Sequence, residues 1–93
     1  MAMEFDPTKS DKNKADPTRA FGLDKAAEFV WASCVTFTDT RRDYGEERLV
    51  SIGFIAQRLH ILVWTRRGQK TIRIISLRKA NQQEVESYET QKN

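Results

Sequence analysis

The residues best suited to act on a phosphate-rich partner lie between Arg48 and Lys79. This segment contains no Asp or Glu and holds eight cations, namely Arg48, Arg58, Arg66, Arg67, Lys70, Arg73, Arg78 and Lys79. Six of them are arginines, whose planar guanidinium groups can pair with two phosphate oxygens at once. Residues 1–47 and 80–93 both carry more acids than cations, so this segment accounts for the whole net charge of +3. Such a basic segment favours contact with a polyanion, most readily RNA, over a solvated charged surface without a partner.

Proton carriers are scarce in this chain. Metal-free RNA cleavage needs a base for the ribose 2′-hydroxyl, cations for the phosphorane charge and an acid for the leaving oxygen. His60 is the only histidine, which excludes a two-histidine mechanism, and the remaining candidates are Tyr44, Glu46, Glu47 and Tyr88. The sequence has no Gly-rich phosphate loop, nucleophile elbow or paired-carboxylate motif. A single cysteine also argues against a structural zinc site, so we expect no metal or other cofactor.

Three consecutive strands should position the basic segment, at residues 48–55, 58–66 and 70–77. Their short connections predict antiparallel hairpins. In the middle strand, period-two alternation predicts a core face of Leu59, Ile61, Val63 and Thr65 and a second, exposed face of Arg58, His60, Leu62, Trp64 and Arg66. Trp64 would then be available to stack on a base, whereas the alternative is that it packs under a helix.

Alternation also divides the third strand. It predicts one face with Arg73, Ile75 and Leu77 and another with Ile72, Ile74, Ser76 and Arg78. Arg73 and Arg78 would therefore lie on opposite sides of the sheet, and the eight cations could not all serve one site.

The rest of the chain predicts the surrounding elements. The N-terminal part is predicted to hold an extended piece at 3–5, a polar helix at 8–15 after Asp6-Pro7, and a second capped helix start at Asp16-Pro17. Asp24 is predicted to N-cap a further helix, which turns its apolar side chains toward the core, namely Ala26, Ala27, Phe29, Val30 and Trp31. A strand at 34–38, a polar connection at 40–47 and a C-terminal helix at 81–89, docked through Val85 and Tyr88, complete the prediction. We therefore predict one domain over residues 1–93. Its fold would be α+β, with N-terminal helices, an antiparallel sheet of about four strands covered by helices on one face, and a C-terminal helix.

Location is predicted from what the sequence lacks. No run approaches the roughly 18–20 apolar residues of a membrane span, and the N-terminal residues show no secretion signal. Cys34 is the single cysteine, which suits a reducing compartment. We expect a cytoplasmic protein with no membrane contact.

Several motifs run through nearly the whole chain. They are Phe5-Asp6-Pro7-x-Lys9, residues 24–29 with Phe37, residues 43–48, Ile52-Gly53, Thr65 with Arg66 or Arg67, residues 73–80 (Arg-Ile-Ile-Ser-x-Arg-Lys-Ala), Glu84 and Tyr88. Together they resemble the BrnT family of bacterial type II toxins, and residues 73–80 are the most specific part. The resemblance implies a ribonuclease toxin with a RelE-like fold that cleaves RNA and inhibits translation. It also implies a BrnA-like ribbon-helix-helix antitoxin that neutralises the toxin and contacts operator DNA on its behalf.

Charge, alternation and the resemblance together select the candidate site. The predicted catalytic residues are Glu47, Arg66, Arg73, Arg78 and Tyr88, and the predicted RNA-binding residues are Arg48, Arg58, His60, Trp64, Arg67, Lys70, Ser76 and Lys79. The alternatives are structural. Arg73 and Arg78 could form salt bridges to Glu84 or Glu47, and Tyr88 could dock the last helix. Ser76 could be a satisfied strand hydroxyl, and Glu47 could pair with Arg48 at the sheet edge.

One departure from the family pattern supports a different function. Family members usually carry Lys-His-Gly between the first two helices, where this chain has Ala20-Phe21-Gly22. Without that histidine, a catalytically weak relative that only binds RNA or the antitoxin is the main alternative. The third candidate function is that of a structural domain whose basic face binds an acidic protein.

Overall fold

A computed structural model of the chain describes residues 2–17, 21–40 and 45–92. Within these residues the elements are β1 (Ala2–Phe5), α1 (Pro7–Ala15), a first 3₁₀ helix (Leu23–Glu28), a second 3₁₀ helix (Trp31–Ser33), β2 (Val35–Thr38), β3 (Leu49–Ile55), β4 (Arg58–Arg66), β5 (Thr71–Lys79) and α2 (Gln82–Lys92). Residues 41–44, which include Asp43 and Tyr44 and make up half of the predicted connection at 40–47, lie outside the described residues. No helix in the described part of the chain is long and apolar enough to cross a membrane.

The strands form one mixed sheet in the order β1-β5-β4-β3-β2. The predicted hairpins β3-β4 and β4-β5 are antiparallel, as is β2-β3, and the α+β class is confirmed. The prediction of about four antiparallel strands is wrong in its detail, because β1 is a fifth strand that pairs in parallel with β5. Parallel neighbours need a long connection, and here almost the whole chain separates the two, so four local residues could not reveal the pairing.

A β-bulge in β5 changes the predicted faces of that strand. Val63 pairs with Ser76, yet the next residue, Trp64, pairs with Ile74, so Ile75 is an extra residue on the bulged strand. Beyond the bulge the alternation is shifted by one. Arg73 and Arg78 therefore lie on the same face of the sheet, which corrects the prediction that they lie on opposite sides.

Both faces of the sheet are covered, which corrects the prediction of helices on one face only. On the first face, Leu62, Ile74 and Leu77 pack with Leu23, Ala26 and Phe29 of the 3₁₀ region. On the second face, Val50, Ile52, Leu59 and Ile61 pack with Ala80 and Tyr88, and Val85 adds to them. The predicted docking of α2 through Val85 and Tyr88 is thus confirmed.

The helix signals are only partly followed. Asp6 caps α1 by accepting hydrogen bonds from the amides of Thr8 (2.9 Å) and Lys9 (3.4 Å), with Pro7 at the first position. Asp16 is the C-terminal cap of α1, and residues 18–20, where a helix begun by Asp16 would continue, lie outside the described residues. Asp24 lies inside a 3₁₀ helix that begins at Leu23, rather than capping an α-helix.

The three buried residues of that region explain why it is a 3₁₀ helix. Leu23, Ala26 and Phe29 are spaced by three, and three residues make one turn of a 3₁₀ helix, so all of them point into the first core. Ala27 and Val30, which an α-helical reading turns toward the core, are exposed. The prediction of an α-helix with 3.6 residues per turn is therefore wrong for this segment, whose buried residues follow a period of three.

Gly53 lies in β3 where the segment that contains the two 3₁₀ helices packs against the sheet. A Cβ atom at this position would stand 2.7 Å from the Cζ atom of Phe29 and 3.0 Å from the Cβ atom of Cys34. We expect Gly53→Ala to lower the free energy of unfolding by about 1–3 kcal/mol, the usual cost of overpacking a core. Urea unfolding measures this. Adding Phe29→Leu, which removes the obstructing ring, should recover part of the loss, and strictly additive effects of the two changes would contradict the clash.

Candidate nucleic-acid interface

A groove of about 610 Å³ opens on the second face of the sheet, beside α2. Its floor is apolar and is formed by Val50, Ile61, Val63 and Ile75. Its polar lining consists of Lys9, Thr38, Asp39, Thr40, Arg48, Ser76, Arg78 and Glu84. Three cations around one concave surface make this groove the place where the structure best suits an anionic chain.

Arg78 is held in the groove wall by Glu84. Its two terminal nitrogens donate to the two carboxylate oxygens of Glu84, at 2.8 Å and 2.7 Å. Glu84 also accepts from the amide of Asn81 at 2.9 Å, while its own amide donates to the Asn81 side chain, so the two residues form the capping box of α2. The hydrogen bonds from Arg78 hold the pKa of Glu84 below its ordinary value. The salt bridge predicted as the alternative for Arg78 is therefore present, inside the candidate site.

Lys9 is a groove residue that sequence reasoning left out of the candidate set. It extends from α1, and its Nζ atom donates to the carbonyl oxygen of Ile75, the extra residue of the bulge. Ser76 and Arg78, which follow the bulge and alternate in β5, also lie on the groove side. Lys9 belongs to the opening motif Phe5-Asp6-Pro7-x-Lys9, which is a signal for it in the sequence. It lies, however, in residues 1–47, where acids outnumber cations, and so outside the basic segment.

Two further cation clusters lie outside the groove lining. At the β1–β5 edge, Glu4 forms salt bridges with Arg67 at 3.0 Å and with Arg73 at 3.7 Å. Glu84 and Glu47, the partners predicted for Arg73, are therefore wrong. At the far end of β4, Arg66 pairs with Glu47 at 2.6 Å and lies 5.5 Å from the centre of the Trp64 ring.

The remaining predicted cations are more scattered. Arg48 lies 3.5 Å from Glu46, not from Glu47 as the edge-pair alternative has it. Arg58 begins β4, Lys70 precedes β5 and Lys79 ends it, and all three are exposed away from the groove lining. The structure thus divides the predicted set among separate surfaces.

The predicted exposed face of β4 is in fact buried, so that prediction is wrong. His60 is 3% exposed and Trp64 8% exposed, because the 3₁₀ region covers them. Trp64 donates from Nε1 to Ser51 Oγ at 2.9 Å, and its ring meets Trp31 edge to face at 5.5 Å. Packing under a helix, the alternative for Trp64, is confirmed. The RNA-binding role of both residues has no support from their position.

Tyr88 is also placed in a core. It is buried, its hydroxyl donates to the carbonyl of Ser33 at 2.5 Å, and its ring packs edge to face on Phe54. The hydroxyl therefore ties α2 to the second 3₁₀ helix. This contact matches the helix-docking alternative, and Tyr88 does not line the groove.

Burial makes His60 a source of acid sensitivity. Desolvation lowers the pKa of its imidazole below 6.5, the cations of Arg58, Lys79 and Lys25 act in the same direction, and the hydrogen bond to the Arg58 carbonyl opposes them. The imidazole of the unfolded chain therefore takes up a proton near pH 6.5, whereas that of the folded chain does so only at lower pH. The stability of the folded state is unaffected by this group above pH 6.5 and decreases as the pH falls below it.

We expect the free energy of unfolding to decrease between about pH 7.5 and about pH 5.5, partly through His60. Urea unfolding at both pH values measures the decrease. His60→Gln, which cannot titrate, should show a smaller one. An unchanged pH dependence in His60→Gln would contradict this role of the histidine.

The chemistry available in the groove is charge stabilisation and proton transfer. Lys9, Arg48 and Arg78 can neutralise phosphate oxygens, and Asp39 and Glu84 are carboxylates in the same lining. In the described ranges, no three His, Cys, Asp or Glu side chains are grouped so that they could hold a metal ion.

Known proteins resemble this chain in sequence and in fold. Residues 5–84 match the family model described as "Ribonuclease toxin, BrnT, of type II toxin-antitoxin system". The fold is similar to the crystal structure of the Brucella abortus ribonuclease toxin, BrnT, with a TM-score of 0.65 and 24% identity over 88% of this chain and 99% of that chain. A search of curated proteins gives no match. Because the family model spans most of the sequence, the chain belongs to the BrnT family of ribonuclease toxins of type II toxin–antitoxin systems.

Proposed function

We propose that this toxin is a metal-independent endoribonuclease that binds RNA along the groove and inhibits translation by cleaving it. The observation that carries the proposal is the groove lining, in which Ser76 and Arg78 of β5 lie together with Lys9 and Arg48. The β5 bulge adds Arg73 to the same face of the sheet, outside the lining. Cations around an apolar floor fit a single-stranded nucleic acid, whose phosphates need charge and whose bases need apolar contact.

Each groove residue has a distinct role in this proposal. Arg78 and Lys9 stabilise the charge that develops on the phosphorane, since they are fixed donors at the groove. Glu84 is assigned the base role from its position alone, since it stands beside Arg78 in the lining; its lowered pKa makes it a weaker proton acceptor than an ordinary glutamate. Lys9 is the acid nearest to the bulge. Arg48 positions the RNA backbone in the groove, and Arg73 does so from the same face of the sheet, outside the lining. Glu47 and Arg66, at the far end of β4, stay predictions for a separate surface.

A type II toxin has an antitoxin partner, and we propose its class. A ribbon-helix-helix antitoxin similar to BrnA would neutralise the toxin by covering the basic groove with acidic side chains, and would carry the operator contact itself. The groove cations explain the attraction, because they are concentrated on one concave surface. We place both proteins in the cytoplasm, where translated RNA is found.

Expression of the toxin alone in a bacterium tests the proposal. We expect growth arrest with shortened RNA, and rescue by the co-expressed antitoxin. Purified toxin should cleave RNA equally well with and without excess EDTA, which tests metal independence. Normal growth and intact RNA in cells that contain soluble toxin would refute the proposed activity.

A catalytically weak relative is the second candidate. The pairing of Arg78 with Glu84 favours it, because this guanidinium must leave or share its carboxylate to reach a phosphate. The missing family histidine favours it less. Phe21 packs against the His60 ring at 5.6 Å on the first face of the sheet, away from the groove. Salt-sensitive RNA binding without any cleavage would establish this second candidate.

A further inference from the structure

Phe37 is an aromatic side chain exposed to an unusual degree. It is 51% exposed, and with Val30 it makes up the large apolar side chains that are exposed in the described part of the chain. Val30 lies between the two 3₁₀ helices, whereas Phe37 lines the groove. An exposed ring on the wall of a basic groove needs an explanation that core packing does not supply.

The register of the sheet fixes where Phe37 stands relative to the cations. Phe37 pairs with Val50, Val50 with Val63, and Val63 with Ser76, so these four side chains form one row across β2, β3, β4 and β5. Neighbouring strands are about 4.8 Å apart, which puts Phe37 about 14 Å from Ser76. Arg78 pairs with Ile61 in the next row. An aromatic ring thus stands at one end of the apolar floor and the bulge at the other.

We propose that Phe37 forms a nucleobase subsite, in which an unpaired RNA base stacks on its ring and rests on Val50. The proposal deepens the proposed function, because it rests on the groove taking RNA. Arg48, in the same lining, is placed to hold the phosphate beside that base. Stacking accepts any of the four bases, since each has a π-face, so this subsite anchors the strand without reading its sequence. Phe37 takes over the stacking role that the sequence suggested for Trp64.

The test compares two uncleavable probes of equal length, each carrying a fluorophore. One is a 2′-O-methyl RNA, and the other is an abasic sugar–phosphate chain without bases. Binding is measured by fluorescence anisotropy for the wild type, Phe37→Ala, Phe37→Tyr and the control Val30→Ala, which removes an equally exposed apolar side chain outside the groove. Cleavage of RNA by the wild type is measured in parallel.

Phe37→Ala should weaken binding of the 2′-O-methyl RNA between about 5-fold and about 150-fold, the range of base–aromatic stacking. Its affinity for the abasic chain should not change, because phosphate contacts are intact. Phe37→Tyr keeps a ring and should bind like the wild type, as should Val30→Ala. Equal losses on both probes would overturn the subsite, since they would indicate a general defect.

Two outcomes separate this inference from the proposed function. If the wild type cleaves RNA and Phe37→Ala binds both probes normally, the subsite is refuted and the proposed activity stands. If the ring discriminates between the probes but the wild type cleaves nothing, the subsite stands and the activity fails. Normal RNA binding by Phe37→Ala with weakened antitoxin binding would refute the subsite and assign the ring to the protein interface.

Discussion

Replacing Arg78 with alanine is expected to slow RNA cleavage by a factor on the order of 10²–10³, the usual effect of removing one preorganised donor from a transition state. Arg78 lines the groove on the same face as Ser76, and Glu84 holds its guanidinium in a fixed orientation. Single-turnover cleavage of a defined RNA measures the effect, because it reports the chemical step apart from product release.

Stability data distinguish this catalytic role from a purely structural salt bridge. The side chains of Arg78 and Glu84 are 40% and 25% exposed, and partly solvated pairs of this kind contribute at most about 1 kcal/mol. Arg78→Ala should therefore stay folded while its activity collapses. Arg78→Lys keeps the charge but loses the two-pronged donor geometry, so it should recover only part of the rate.

A matched ion pair on another surface provides the control. Lys25 lies 3.3 Å from Glu28 in the first 3₁₀ helix, with 36% of its side chain exposed, and it does not line the groove. Lys25→Ala should cleave RNA at the wild-type rate. Equal losses of cleavage rate in Arg78→Ala and Lys25→Ala would assign the effect to overall charge. They would contradict the placement of the active site in the groove.

The sequence predicts strands well where they are neighbours in the chain. Two-residue alternation and the short turn at Ala56-Gln57 locate β3 and β4, and their register follows from the hairpin. The pairing of β1 with β5 joins residues at nearly opposite ends of the chain. No local period specifies such a pairing, because it depends on the edge that β5 presents in the folded sheet.

The bulge shows why the candidate site was only partly predictable. The motif of residues 73–80 includes Ser76 and Arg78, which line the groove, but alternation without a bulge places Arg73 and Arg78 on opposite faces. An extra residue leaves no clear mark in a run such as Ile74-Ile75, where both residues are apolar and β-branched. Lys9 was missed for a related reason, since only the folded chain brings α1 next to the bulge.

Alternation likewise separates the two faces of β4 without saying what covers them. Both of its rows are rich in apolar residues, and the row with His60 and Trp64 looked exposed because Arg58 and Arg66 begin and end it. In the structure these two arginines are the exposed ends of the strand, and the residues between them are buried except for Val63, which is half-buried. End positions of a strand therefore report poorly on the face to which they formally belong.

Trp64 gives the second large effect. We expect Trp64→Ala to lower the free energy of unfolding by about 3–5 kcal/mol, the cost of truncating a buried aromatic residue. That is a large part of the roughly 5–15 kcal/mol that holds a typical domain together. The ring is 8% exposed, lies against Trp31 and donates to Ser51, which has no exposed surface. Urea unfolding of the full chain measures the loss.

A milder variant separates folding from RNA recognition. Trp64→Phe keeps an aromatic ring in the core but removes the N–H donor and part of the ring volume, while Ser51 retains its hydrogen bond to Thr36 at 2.7 Å, so we expect a loss of about 2 kcal/mol. Its RNA affinity should equal that of the wild type, because the ring faces the core and not the groove. The opposite pattern, normal unfolding of Trp64→Ala with weakened RNA binding, would contradict the burial of this ring and return Trp64 to the stacking role.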